Sequence, residues 1–187
     1  MIGFGKIGQL TTKRLVGFGI GKILYATSKI GQPLAPEKDY FGLVKDATIP
    51  TEPAASYDQL ARESDFLVIC CSLTPETTHL VNADFIAKMK PHAYIVNTAR
   101  GPVVDSAALV EAIEAGRLAG AGLDVAEGEP NITAEHPLVK CEKVVVLPHI
   151  GSATIETRGE MARQAVVNAL AGLAVGDYKW ENEVKLK

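Results

Sequence analysis

Glycines near the start of the chain are spaced to hold a phosphate. Gly3-Phe4-Gly5-Lys6-Ile7-Gly8 is a G-x-G-x-x-G turn. Its first glycine permits a tight turn, its second lets the backbone approach a pyrophosphate, and its third lets a helix pack closely on a strand. Apolar residues at helical spacing follow at Ile7, Leu10, Leu15 and Phe18. The turn therefore opens a helix whose free N–H groups and dipole favour an anion beside Gly3, Gly5, Lys6, Ile7 and Gly8. Glycines also mark ordinary turns, so the motif needs support from the rest of the chain.

A dinucleotide site that prefers NAD usually ends its second strand on Asp or Glu, about 20 residues past the glycines, to hold the ribose 2′-hydroxyl. Here Lys22-Ile23-Leu24-Tyr25 runs into Ala26-Thr27-Ser28-Lys29, and the acid is absent. Ser28 and Lys29, with Thr27 beside them, can donate to a 2′-phosphate, which points to NADPH with NAD(H) still open. The bland alternative makes Lys29 a solvated loop residue.

Such a turn works only if a strand delivers it and a helix receives it. Met1 and Ile2 read as the tail of that strand. Beyond them the patterns alternate: a strand at Lys22 to Ala26, a short helix at Tyr57 to Arg62, and a strand rich in β-formers at Phe66 to Cys71. A helix capped by Asn82 runs through Phe85 and Ile86 to Met89, and Ala93 to Asn97 is the next strand. Asp105 caps a helix that Gly116 ends, strands follow at Ala119 to Leu123 and Val144 to Leu147, and a last helix covers Thr154 to Leu173.

This alternation predicts an α/β fold, a Rossmann-type doubly wound parallel sheet, N-terminally truncated in its first strand. In the order 3-2-1-4-5-6 that strand is central. A short one is expected to leave its neighbours with unsatisfied ladder groups and an open core, at about 1–3 kcal/mol per orphaned buried group. Residues 28 to 56 are weakly patterned and rich in Gly, Pro and charge.

The 187 residues, 47% hydrophobic and 22% charged, suffice for one sizeable core but not for two average domains. Net charge is -3 with Lys and Arg scattered, which offers no footprint for nucleic acid or an anionic membrane. The longest apolar runs, such as Phe66 to Cys71, are far below the roughly 20 residues that span a bilayer. Glycines break up any opening apolar segment, so the expected compartment is the cytoplasm. Three cysteines, Cys70 and Cys71 adjacent, fit neither a disulfide framework nor a metal site. His79, His92 and His136 are expected as surface or capping groups.

Three later segments carry a resemblance. Asn97-Thr98-Ala99-Arg100-Gly101-Pro102-Val103-Val104-Asp105, then Gly122-Leu123-Asp124-Val125 leading to Glu129-Pro130, then Leu147-Pro148-His149-Ile150-Gly151-Ser152-Ala153-Thr154 resemble the C-terminal signature blocks of the D-2-hydroxyacid dehydrogenase family. Ser72-Leu73-Thr74-Pro75-Glu76-Thr77 and the ending after Ala171-Gly172-Leu173 are most similar to its glyoxylate/hydroxypyruvate reductase branch. The resemblance covers essentially the whole chain. Three motifs in order and at the right spacing are far more specific than the glycines.

The resemblance implies reduction of a small 2-oxo acid, glyoxylate or hydroxypyruvate, by hydride from a nicotinamide cofactor. It implies a catalytic trio of Arg100, Glu129 and His149, with Arg100, His149 and Ser152 on the substrate. Asp124 matches the residue on the nicotinamide carboxamide, and Ser72 and Thr98 match positions lining the cofactor cleft. Arg100 offers a permanently charged fork for a carboxylate. His149 can donate a proton to the carbonyl oxygen, and Glu129 would orient its ring and favour its charged form. Glu127 is the alternative partner for His149, although the family sets its acid just before the proline.

By the same resemblance residues 1–152 form the dinucleotide-binding domain. Residues 153–187 form a C-terminal helix and tail that cross back to a substrate domain ahead of this chain's first residue. The intact family enzyme is a homodimer, and this chain is expected to be part of a longer enzyme and slow by itself. Two other readings stand beside this one, a cofactor-sensing module of the corepressor type and an inactive fragment. Trp180 and the tail from Gly176 are expected to be packing or solvated surface.

Overall fold

Every predicted strand of residues 1–148 pairs in parallel. The structure, a computed structural model, describes residues 1–45 and 49–173. Trp180 and the rest of the tail lie outside the described residues. Two compact units form, Met1–Pro148 and His149–Lys187. In the first, β1 (Ile23–Tyr25) pairs with β2 (Thr51–Pro53), and β3 (Phe66–Ile69), β4 (Tyr94–Asn97), β5 (Gly120–Leu123) and β6 (Val144–Val146) pair in sequence.

The first three residues join the two sheets. Ile2 bridges Ala26 on one side and Ile69 on the other, both in parallel. The lateral order is thus β2-β1-(Met1–Gly3)-β3-β4-β5-β6, that of a Rossmann-type doubly wound sheet with a very short central strand. Short as it is, this segment is paired on both flanks. Ile2 N–H donates to Val68 O at 2.8 Å, Cys70 N–H to Ile2 O at 2.7 Å, Ala26 N–H to Met1 O at 2.9 Å and Gly3 N–H to Ala26 O at 2.9 Å.

The helices are α1 (Lys6–Leu15), prolonged by a 3₁₀ turn at Val16–Phe18, α2 (Tyr57–Glu63), α3 (Ala83–Ile86), α4 (Ser106–Glu114) and α5 (Pro137–Lys140). The predicted caps are in place. Asn82 Oδ1 accepts the Phe85 N–H at 3.0 Å, and Asp105 Oδ1 accepts those of Ala107 and Ala108 at 3.1 and 3.0 Å, which satisfies N–H groups that a helix start leaves orphaned. Helix α3 is shorter than expected because Lys88 and Met89 donate three residues back, to Phe85 and Ile86, and tighten the last turn before Pro91.

The 28–56 region, without an assigned element in the sequence, contains β2. Its residues Thr51-Glu52-Pro53 have no apolar alternation, as suits an edge strand that tolerates proline. The second unit contributes α6 (Ile155–Gly172), where Thr154 Oγ1 accepts the Thr157 N–H at 3.1 Å. Among the described residues no helix is long and apolar enough to cross a membrane.

Strand alternation divides the apolar side chains between two faces. One face packs Ile2, Leu24, Leu67, Ile69 and Ile95 with Leu60, Ile86 and Leu109 from α2, α3 and α4. The other carries a smaller cluster of Met1, Phe4, Ile23, Tyr25 and Val68, in which the Phe4 and Tyr25 rings stack at 4.3 Å.

The Met1 nitrogen donates to Leu24 O at 2.7 Å inside this core. As a terminal amine, burial pushes its pKa down from 8.0 to about 5. Above pH 8 the amine is neutral in folded and unfolded chains alike. As pH falls from 8 to about 5 only the unfolded chain takes up the proton, so stability is lost over that window and levels off below it. A polypeptide starting at Met1 should melt at lower temperature at pH 5 than at pH 8, by an amount equivalent to a few kcal/mol. Thermal melts of the N-terminally acetylated chain, which cannot titrate there, should lack this component.

Candidate functional site

Because all strands run the same way, the loops that leave their carboxyl ends gather on one edge, where open α/β sheets bind ligands. The glycine turn is the first of these loops. Gly3 has φ +89°, and a Cβ there would lie 2.5 Å from Cys71 N; a Cβ on Gly8 would run into Gly3 O. Gly5, by contrast, is the N-cap of α1, and a Cβ on it would meet nothing within 4 Å. So Gly3 and Gly8 are glycines for the fold, whereas Gly5 leaves an open approach to the start of a helix with no acidic residue in its first turn. That is the cradle an anionic pyrophosphate requires. Lys6 and Ile7 are exposed beside it.

Gln9, one residue past the motif, is fully buried and was not singled out by the sequence. Its Nε2 donates to Phe4 O at 3.0 Å and to Lys38 O at 2.8 Å, tying the glycine turn to the loop after β1. That loop begins with Thr27, whose Oγ1 accepts the Lys29 N–H at 3.2 Å. Ser28 and Lys29 are exposed there, with no carboxylate among residues 26–29.

Contacts run on along the edge. After β3 come Cys70, Cys71 and the exposed Ser72; burial pushes both thiols above their ordinary range, which keeps them protonated. Thr98, after β4, donates its N–H to Ile69 O at 3.4 Å, and its Oγ1 is 4.0 Å from Cys70 Sγ. Asn97 is buried and braces the Arg100 turn: Oδ1 accepts the Ala99 N–H and Nδ2 donates to Arg100 O, both at 3.0 Å. The Arg100 side chain is anchored by a bond from Nη1 to Ala99 O at 2.6 Å. After β5, Asp124 N–H donates to Asn97 O at 3.0 Å, and Glu129 Oε1 accepts the Ala126 N–H at 2.8 Å. A Cβ on Gly101 would collide with the Ala126–Glu127 peptide, so the Arg100 and Glu129 loops press directly together.

Glu127 Oε1 lies 2.7 Å from His79 Nε2, and its Oε2 accepts the Ser106 N–H at 3.4 Å. His79, expected as a surface or capping group, is exposed; it also sits at φ +48° with its N–H on Pro102 O at 2.8 Å. It buckles the loop after β3 to those after β4 and β5. His136 caps α5 through Nδ1, and His92 pairs with Asp65 at 3.1 Å. His149, at φ +55°, and Ser152 belong to the second unit. The first unit thus brings together Gly3 to Gly8, Thr27 to Lys29, Ser72, Thr98, Arg100, Asp124 and Glu129.

The model of the D-isomer specific 2-hydroxyacid dehydrogenase NAD binding domain matches residues 1–151. The chain is 43% identical over 173 residues to the glyoxylate reductase/hydroxypyruvate reductase of Homo sapiens, covering 92% of this chain and 49% of that protein. Among solved structures, a glyoxylate reductase from Paecilomyes thermophila superposes with a TM-score of 0.80 at 33% identity, covering 98% of this chain and 50% of the other. The NADPH-dependent glyoxylate/hydroxypyruvate reductase of Sinorhizobium meliloti, in complex with NADP and malonate, gives 0.78 at 33% identity over 95% and 50%. This chain therefore spans about half the length of the proteins it matches.

The Glu127 carboxylate raises the His79 pKa above the ordinary histidine value. The pair's contribution is complete below the unfolded value near 6.5 and is lost as pH rises through the folded one. Since both groups are substantially exposed, the effect on stability is small. NMR titration should show His79 above the ordinary histidine range, and Glu127→Gln should return it to that range. A His79 titration unchanged by that substitution would refute the buckle.

Proposed function

The chain belongs to the D-isomer specific 2-hydroxyacid dehydrogenase family and holds its NAD-binding domain, and from that premise we propose that it is the cofactor half of a reductase acting on a small 2-oxo acid, glyoxylate or hydroxypyruvate. NADPH is the preferred reductant and NAD(H) the second choice. One observation carries the reading: an open Gly5 at the start of α1 stands on the same sheet edge as an acid-free, hydroxyl- and lysine-bearing loop and the Arg100 turn.

In this reading the N–H groups of the Gly3–Gly8 turn hold the pyrophosphate, Thr27, Ser28 and Lys29 hold the 2′-phosphate, Ser72 and Thr98 line the cleft, and Asp124 receives the carboxamide. The bound nicotinamide supplies hydride to the carbonyl carbon of the acid. Arg100 grips the substrate carboxylate as a charged fork, Ser152 contributes a further contact, and His149 gives a proton to the carbonyl oxygen. Glu129 keeps the imidazole oriented and charged. Residues 1–152 act as the cofactor domain, and 153–187 reach toward a substrate domain in a homodimer. The free thiols Cys70, Cys71 and Cys141 suit a reducing, cytoplasmic setting.

Cofactor titration tests the binding part. NADPH should bind more tightly than NADH, and Lys29→Asp should erase or reverse the preference by about tenfold, the worth of one charge-assisted hydrogen bond. Gly5→Ala should melt like the parent, since its Cβ enters open space, yet lose most of its NADPH affinity. Equal affinities for both nucleotides in the parent would defeat the assignment of the 27–29 loop.

Catalysis is tested separately. His149→Ala should cut glyoxylate turnover by about 10²–10⁴-fold, the usual loss with a general acid, while NADPH still binds. Normal turnover in that variant would show that another group donates the proton.

A further inference from the structure

Lys6 is the first residue of α1, directly after the open Gly5 cap, so its charge stands in the positive field of its own helix. A cation there is out of place until an anion joins it. Elsewhere on the molecule lysines are neutralised: Lys22 lies 2.6 Å from Glu52, Lys88 2.7 Å from Asp58 and Lys90 2.7 Å from Asp65. Among the described residues Lys6 has no carboxylate partner, and its ammonium lies instead over the Tyr40 ring, 5.4 Å from the centroid.

Tyr40 reaches that place because the segment after β1 folds back along α1. Leu34 N–H donates to the Tyr25 hydroxyl at 2.9 Å, and Leu34, Leu43 and Val44 pack against the cluster of Met1, Phe4, Ile23 and Tyr25. Between these anchors a 3₁₀ turn at Pro36–Lys38 leads into a loop that Asp39 closes, its Oδ2 accepting the Val44 and Lys45 N–H groups at 3.3 and 3.2 Å. Gly42, at φ +69°, supplies the left-handed step. The loop thereby sets Tyr40 against Lys6 in the first turn of α1, and Phe41 against Lys13 in the last, 6.0 Å from the ring centroid.

The buried Gln9 amide fastens this loop to the glycine turn. Its Nε2 donates both to Lys38 O, two residues before Tyr40, and to Phe4 O inside the turn, at 2.8 and 3.0 Å. Ring and phosphate cradle therefore share one anchor.

An aromatic face holds a cation in a way that a carboxylate does not. It attracts the ammonium through the ring quadrupole and leaves its net charge and N–H donors available to an anion, whereas a carboxylate would neutralise the charge and compete with phosphate for it. It also restrains a long, flexible side chain before any ligand arrives, which removes part of the ordering cost of binding. From the cofactor reading above, on which this inference rests, we propose that Tyr40 is a positioning residue for the phosphate cradle. Its ring holds the Lys6 ammonium at the start of α1 without neutralising it, so that the charge is in place when the pyrophosphate of the dinucleotide arrives.

The test is a double-mutant cycle on the folded 187-residue chain, read as the dissociation constants of NADPH and NADH. Lys6→Met removes the charge and should weaken both nucleotides by about tenfold, since both carry the pyrophosphate. Tyr40→Leu should weaken both by about two- to fivefold while Lys6 is present, and change neither once Lys6 is replaced by methionine. Tyr40→Phe keeps the ring and should bind like the parent. Phe41→Leu, which removes the same loop's contact at the far end of the helix, should do so too.

Equal losses from Tyr40→Leu with and without Lys6, or a loss from Phe41→Leu as large as that from Tyr40→Leu, would mean that the ring only docks the loop and would overturn the proposal. A loss confined to NADPH would place Lys6 on the 2′-phosphate and overturn it as well. Failure of the parent chain to bind either nucleotide would defeat the cofactor reading and this proposal together, whereas parent binding without coupling between Tyr40 and Lys6 would defeat the proposal alone.

Discussion

Two-sided backbone pairing of Met1, Ile2 and Gly3 is the constraint on which the first unit depends. Among the described residues those three are the whole connection between the β1-β2 pair and the β3-β4-β5-β6 sheet in the hydrogen-bond ladder. They also deliver the glycine turn to the carboxyl edge in line with the loops after β1 and β3. Buried N–H and C=O groups are costly to leave unpaired, so once Ile2 is seated the registers of Ala26 and Ile69 are set with it.

From that seat the site is assembled by contact from loop to loop. Gly3 touches the Cys70–Cys71 peptide, Thr98 reaches Ile69 and Cys70, Asn97 receives Asp124, and Gly101 lets the 126–127 peptide close on the Arg100 turn. Small residues at Gly3 and Gly101 allow backbone to approach backbone, and one buried amide, Asn97, satisfies both ends of the turn that presents Arg100. The His79–Glu127 pair adds a polar tie across the same three loops. Rigid placement of this kind matters because binding groups held in position need no ordering when a ligand arrives.

The two faces of the sheet are unequally covered. Helices α2, α3 and α4 close one face around Leu60, Ile86 and Leu109, while on the other Phe66 and Tyr94 stack at 5.7 Å and remain exposed. The loops proposed to hold the cofactor lie at the carboxyl end of the strands.

What the amino-acid sequence determined by itself was everything that depends on near neighbours. Period-two and helical apolar spacing, the caps at Asn82 and Asp105, and the glycine spacing at 3, 5 and 8 were legible because propensity, capping and turn chemistry act over a few residues. The signature segments around Arg100, Glu129 and His149 were legible for the same reason, as contiguous strings. Tertiary structure alone decided the rest. Strand β2 reads as loop because an edge strand with proline has no pattern until Ile23 to Tyr25 pair with it. His79 and Glu127 stand 48 residues apart and meet only because parallel strands bring their loops to one edge. The different duties of Gly3 and Gly5, identical letters in one motif, follow from what lies next to each in space: the Cys71 backbone against one, open approach at the other.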